Sequence, residues 1–324
     1  MKRRQFLHLA AGAAAGLAAP ATASAQNYPA RPVRAVVAFA PGGTTDTFAR
    51  IMAQKLGETL GRQFYVENIP GATGNIGTGQ VAKAAPDGYT LLFAFSSYVV
   101  NPTLFDKIPY DPLKDFDPVT LAVTSTTVLT VNPAVPVTTV KDLVALIKAN
   151  PGKYSYSSAG AGTQAHLAGE QFRLSLGLDL VHVPYSGGSP AIAAVVAGHT
   201  PIGFSSPAAS LPQIKDGNVR ALDITRKTRS QIMPAVPTMV EAGYPDIEGD
   251  SWVGVLAPAG TPKDIIALLH REIARILRLP DMQARLMELG YDLVGTTPEE
   301  FSSRIKFEID TWAKVIRAAN IKAE

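Results

Sequence analysis

The chain has 324 residues, 30 basic and 27 acidic side chains, a formal net charge of +3 and no cysteine. Lys2, Arg3 and Arg4 account for the excess, so the remainder is formally neutral; with no basic stripe interleaved with aromatics, nucleic acid is excluded as a partner. The lack of cysteine excludes a disulfide framework and a lipid attachment site, and leaves stability to a core that about 300 residues can supply.

The three basic residues precede an Ala/Gly/Leu run that ends at Ala23-Ser24-Ala25, the pattern of an export signal over residues 1–25. Paired arginines followed by Gln5, Phe6 and Leu7 resemble a twin-arginine leader. The run over 6–19 is too short to span a bilayer, and no later stretch is long enough. An exported protein with neither span nor anchor is retained only behind an outer membrane, so the expected compartment is a Gram-negative periplasm.

From 33 to 50 the chain reads VRAVVAFAPGGTTDTFAR. Val33, Val36, Val37 and Phe39 predict a strand, and Pro41, Gly42 and Gly43 break it. Thr44, Thr45 and Asp46 offer N-cap oxygens, and Phe48, Ile51, Met52, Leu56 and Leu60 then recur at helical spacing. A strand, a glycine turn and a helix start aim unpaired N–H groups and the positive helix end at one point, which suits a small anion. The plainer alternative is a tight turn with no ligand.

A strand over 63–68, a glycine-rich loop over 71–79, a helix through Val81 and Ala85, and a buried parallel strand over 89–95 follow. Ser96 and Ser97 fall at that strand's carboxyl end. Residues 101–118 read as an irregular connection, and 120–132 as a long β-branched stretch that crosses between domains. A helix over 140–149 and a strand over 153–158 lead to a second glycine turn, Ala159 to Gln164, and a helix over 165–176. The strand 181–184 ends in a third such turn, Tyr185, Ser186, Gly187, Gly188 and Ser189, which opens a helix over 191–197. Strands at 202–205 and 219–225 flank a helix at 211–215. Residues 251–257 read as a second crossing strand, and helices over 263–277, 282–289 and 298–319 end the chain.

Two α/β blocks joined by two long strands describe a bilobed receptor, with domain 1 over 26–127 and 251–324 and domain 2 over 128–250. Ligands in such sheets bind beyond the carboxyl ends of strands, where three glycine turns converge here.

Other chemistries find less support. Gly160-x-Gly162-x-x-Ala165 mimics a dinucleotide fingerprint but lies mid-chain. His166, Glu170 and His182 include one i,i+4 pair without a second motif, so no metal is expected. No Gly-x-Ser-x-Gly elbow is present, and no nucleophile–base pair stands out, so no catalytic residue and no cofactor are expected. Asp46 beside an anion seat is either a helix cap or a receiver for a ligand ammonium or an ordered water.

Several motifs in order resemble the Bug family, the periplasmic solute receptors of tripartite tricarboxylate transporters. They are FAPGGTTDTFAR at 39–50, VENIPGATGNIGT at 66–78, APDGYTLLF at 85–93, NPTLFDKIPYDPLKDFDPVT at 101–120, YSSAGAGTQAHLAGEQF at 156–172, VPYSGGSPAIAAVVAGH at 183–199 and APAGTP at 257–262. The resemblance implies a two-domain type II periplasmic-binding-protein fold, a Venus flytrap closing on a small carboxylate held partly through ordered waters. Carried over, one loop is Pro41, Gly42, Gly43, Thr44, Thr45 and Asp46, and the other is Ala161, Gly162, Thr163 and Gln164. Ser96, Ser97 and Tyr185 to Ser189 line the rest. Where the family usually shows two aspartates after the Ala-Gly-x motif, this chain has Thr200, Pro201, Ile202, Gly203, Phe204 and Ser205, which leans away from amino acids toward uncharged-tail or dicarboxylic acids. The expected partners are an organic carboxylate and membrane transporter subunits or a sensor, and the expected state is a monomer. The competing expectation is a periplasmic enzyme on the same scaffold.

Overall fold

The computed structural model describes residues 28–185 and 187–322. The expected leader and Ser186 lie outside the described residues.

Strand β1 (Val33–Val37) shows how the first sheet forms. Val33, Ala35 and Val37 enter one core, with Phe48, Met52 and Leu56 of helix α1 (Thr44–Leu60), while Val36 enters a second core on the opposite face. A strand buried on both faces reads as a nearly continuous apolar run, as this one does. Parallel pairing places β2 (Phe64–Asn68) and β3 (Thr90–Phe95) on either side, with Val37 opposite both Asn68 and Phe93. Helix α2 (Asn75–Ala82) connects β2 to β3, and α3 (Ser97–Leu104) follows β3.

Helix α3 covers part of the stretch expected to be irregular. Its Pro102 argues against a helix in sequence, but tertiary contacts hold it: Asn101 Nδ2 donates to Thr73 O at 2.9 Å and to Asn75 Oδ1 at 2.8 Å, and Tyr98 Oη donates to Pro112 O at 2.7 Å.

The long β-branched stretch divides into β4 (Phe116–Ser125) in the first sheet and β5 (Val128–Val131) in the second, with Thr126 and Thr127 buried between them. The second sheet adds β6 (Tyr154–Ser158), β7 (Leu180–Pro184), β8 (Ile202–Ser205) and β9 (Arg220–Ile224) in the order β7-β6-β8-β5-β9. Its helices are α4 (Val140–Lys148), α5 (Gln164–Leu176), α6 (Gly188–Val196) and α7 (Pro207–Lys215).

The return passage runs over 225–250, and β10 (Ser251–Pro258) lies within the first sheet between β3 and β4. The two passages touch. Thr225 N donates to Thr127 O at 3.0 Å, Thr225 Oγ1 to Gly249 O at 2.9 Å, and Ser251 Oγ to Ser125 O at 3.0 Å. Helices α8 (Lys263–Leu277) and α9 (Pro280–Glu288), the two-residue edge strand β11 (Asp292–Leu293) and helix α10 (Pro298–Ala318) complete the first half. Thr297 and Glu300 start α10 with a reciprocal capping box. Leu167 of α5 is fully buried in the first half's core with Trp252, Phe301 and Trp312, so α5 docks on α10.

Candidate ligand-binding site

The first glycine turn follows β1. Gly42 has φ +83°, which a β-carbon would strain, and Gly43 is the N-cap of α1, with no side chain capping the helix. Thr44, Thr45 and Asp46 are therefore first-turn residues rather than caps, and their N–H groups have no acceptor within the helix. Thr44 O accepts from Tyr291 Oη at 2.7 Å, and the same threonine borders a narrow crevice with Phe95, Ser125 and Ser251.

Asp46 is the third residue of α1, and its side chain turns back to the loop. It accepts from Gly42 N at 2.8 Å, from Asn68 Nδ2 at 2.8 Å and from Arg50 Nε at 3.0 Å. Burial pushes its carboxyl up, but these hydrogen bonds and the Arg50 charge outweigh it and hold the group below the usual carboxylate range. Asp46 fixes the loop, and its oxygens are already engaged by three donors. Asn68 completes the arrangement by donating to Phe39 O at 3.0 Å and accepting from Arg50 Nη2 at 2.9 Å.

The second turn follows β6 and repeats this construction. Gly160 and Gly162 have φ of +127° and +72°, and Thr163 is the N-cap of α5. Thr163 Oγ1 donates to Gly160 O at 2.7 Å and accepts from His166 N at 3.4 Å. His166, again the third helical residue, accepts from Gly162 N through Nδ1 at 3.0 Å. Ala161 is half-buried. Gln164 is 6% exposed, and its Nε2 lies 2.5 Å from where a β-carbon on Gly249 would sit, so its amide is packed against the return passage.

The third turn adjoins the second. Tyr185 N donates to Ser158 O at 3.1 Å, and a β-carbon on Gly160 would lie 3.3 Å from Tyr185 O. Gly187, with φ +133°, is the N-cap of α6, Gly188 is its first residue, and Ser189 is exposed.

Ser96 is buried and is the N-cap of α3, while Ser97 Oγ donates to Thr73 O at 3.3 Å. Ala72 and Thr73 hold left-handed φ of 47° and 53° without being glycine, strain that a loop keeps only when its surroundings impose it. The sequence reading missed Thr73 and Asn101 as supports of this corner; the Gly-Ala-Thr-Gly run was the available signal. The halves meet here as well, because a β-carbon on Gly162 would stand 2.9 Å from Leu104 Cδ2 of α3.

The residues weighed for metal form a different network. The His166 and His182 rings stack at 3.8 Å, His182 Nε2 lies 2.7 Å from Ser158 Oγ, and Glu170 accepts from Tyr156 Oη at 2.8 Å and Arg173 Nη2 at 2.6 Å. Burial lowers both imidazoles, His182 to about 4 with His166 adding to the effect.

The model of the tripartite tricarboxylate transporter family receptor matches residues 48–321. The chain belongs to that family. Bordetella pertussis BugT is 40% identical over 312 residues, covering 96% of this chain and 95% of BugT. Among solved structures, R. palustris Rpa4515 with adipate is 33% identical with a TM-score of 0.77, covering 91% of this chain and 99% of that one. MatC from Rhodopseudomonas palustris with bound malate is 32% identical with a TM-score of 0.73, covering 89% and 100%. The receptor thus has the two-domain periplasmic-binding-protein fold expected of it, in a family of solute-binding receptors rather than enzymes.

Proposed function

We propose that this receptor captures a small organic carboxylate in the periplasm, with dicarboxylates favoured, and delivers it to the membrane subunits of a tripartite transporter or to a sensor. The observation that carries the reading is the repeated turn. After β1 and after β6, a left-handed glycine precedes an N-cap, and the third helical side chain fastens that glycine, leaving first-turn N–H groups for an anion. Adipate and malate in the two relatives support the ligand class. The domains would divide at 127/128 and 250/251, close about the paired passages, and bury the ligand between Pro41 to Asp46, Ser96, Ser97, Ala161 to Gln164 and Tyr185 to Ser189. Ser205, at the end of the strand near which the resemblance implies a second aspartate, is a buried hydroxyl and presents no charge to a ligand tail.

The test is a thermal-shift panel of small carboxylates and their matched amides on ligand-stripped protein. A ligand at a hundred times its Kd adds roughly 2.7 kcal/mol of stability. The reading predicts that a few acids raise the melting temperature while their amides do not. A broad panel without a shift overturns it.

A further inference from the structure

Carboxylate capture accounts for the backbone of the second turn but not for the imidazole that holds it. Gly162 N points at His166 Nδ1 at 3.0 Å, so Nδ1 accepts and carries no proton. The first turn does the same with Asp46 Oδ2, 2.8 Å from Gly42 N. Both acceptors stand four residues after the glycine and third in their helix. The two differ chemically: a carboxylate held below its usual range stays an acceptor through mild acid, whereas an imidazole that gains a proton at Nδ1 becomes a donor facing a donor.

A second tether runs through the stacked ring. His182 Nε2 meets Ser158 Oγ at 2.7 Å, and Ser158 Oγ accepts from Gly160 N at 3.2 Å. The imidazole pair thus connects to both glycines of the turn. The groups around it are Tyr156 and Ser158 on β6, His182 on β7, and Glu170 and Arg173 on α5, with Asn320 to Lys322 of the C-terminal segment on the open side. Glu170 is hydrogen-bonded by Tyr156 and Arg173, and its charge favours an imidazolium less than burial of the rings disfavours one.

We infer that His166 is a positioning residue for the second anion turn, that it works only with Nδ1 unprotonated, and that it makes ligand capture sensitive to acid where the first turn is not. This rests on the carboxylate reading for its consequence, but the hydrogen bond itself is testable without ligand.

Two measurements decide it. In uniformly 15N-labelled mature protein without ligand, the imidazole nitrogen shifts of His166 and the amide shift of Gly162 are followed from pH 7.5 downward. The expected result is an unprotonated Nδ1 at neutral pH and a Gly162 amide that moves with the His166 midpoint. A protonated Nδ1, or a Gly162 amide indifferent to the imidazole, overturns the inference whatever the ligand is.

The second compares adipate affinity in wild type, His166→Ala and His166→Asn across the same range, which cancels protonation of adipate itself. Asparagine is an apt replacement because Asp46 shows that a side chain of that length reaches the glycine. At pH 7.5, His166→Ala is expected to bind on the order of tenfold more weakly, as for one lost hydrogen bond, and His166→Asn close to wild type. As pH falls through the His166 midpoint, which burial sets below the ordinary imidazole value, the wild type is expected to weaken relative to His166→Asn. A constant ratio between them, or a wild type that tightens in acid, overturns the inference. If adipate binds none of the three proteins, the choice of ligand has failed and the spectra alone decide.

Discussion

Arg226 and Asp292 join the two halves of the receptor: Nη1 of the arginine, just past β9 of the second sheet, lies 2.5 Å from Oδ2 of the aspartate on edge strand β11 of the first. Ser230 Oγ at 2.9 Å and Gln231 N at 3.0 Å donate to the same carboxylate, and Arg226 Nε lies 3.4 Å from Asp250. Asp292 thus fastens the start of the return passage to the first half.

Removing the Asp292 carboxylate leaves the largely buried Arg226 with Asp250 alone at 3.4 Å and deprives Ser230 and Gln231 of their acceptor, a loss on the order of 2–4 kcal/mol. Asp292→Ala is therefore expected to lose about that much stability in urea denaturation. A loss below about 1 kcal/mol would mean that the pair is solvated in solution.

For Asp46, the three protein donors predict a structural role. Asp46→Asn keeps one acceptor and should leave the order of preference among ligands unchanged, while lowering stability at neutral pH. The sign follows from linkage: a carboxyl held below its unfolded value stabilises above about pH 3.8, and that contribution fades as pH falls through its folded value. Selective loss of amino-acid ligands in the variant would instead assign Asp46 to an ammonium.

Gly162→Ala and Gly42→Ala separate backbone strain from contact between the halves. At Gly42 a β-carbon meets nothing within 4 Å, so the cost is the left-handed backbone alone, roughly 1–2 kcal/mol. At Gly162 the same strain is joined by Leu104 Cδ2 at 2.9 Å. Melting curves should show the second variant as the less stable, with Leu104→Ala relieving part of the difference when combined with it. Equal melting temperatures would sink the contact.

Asp223 offers a prediction of opposite sign to Asp46. It is fully buried on β9 with neither oxygen hydrogen-bonded, and burial pushes its carboxyl up to about 8. A folded value above the unfolded one gives a contribution that is complete below about pH 3.8 and is lost as pH rises toward 8. Asp223→Asn removes that dependence, so its melting temperature should exceed the wild type's most clearly at pH 8. A wild-type advantage at that pH would reveal an ionised, paired carboxylate.

The sequence by itself determined the local grammar. The apolar run at 33–37 specified a doubly buried strand because its alternate residues serve two cores, and the glycines at 42, 162 and 187 marked the turns because the chain adopts positive φ there. Ordered motifs across nearly the whole chain disclosed the family. The Pro, Asp, Lys and Tyr composition of 101–118 matched the irregular chain over 105–115 but hid the end of α3 at 101–104 and the start of β4 at 116, since local propensity carried no information about Asn101 reaching Thr73.

Only the tertiary structure decided what each polar side chain does. Asp46 was open between cap and ligand contact until Asn68 and Arg50 were placed beside it, and the sequence, which set metal aside for His166, carried no sign that its imidazole holds the second turn through Gly162 N. Arg226 with Asp292, and Gly162 with Leu104, join residues about 60 positions apart that belong to different sheets or their flanking helices. The physical reason is range: helix, strand and turn preferences act over a few residues, whereas a hydrogen bond or a buried contact is chosen by the packing of the whole chain.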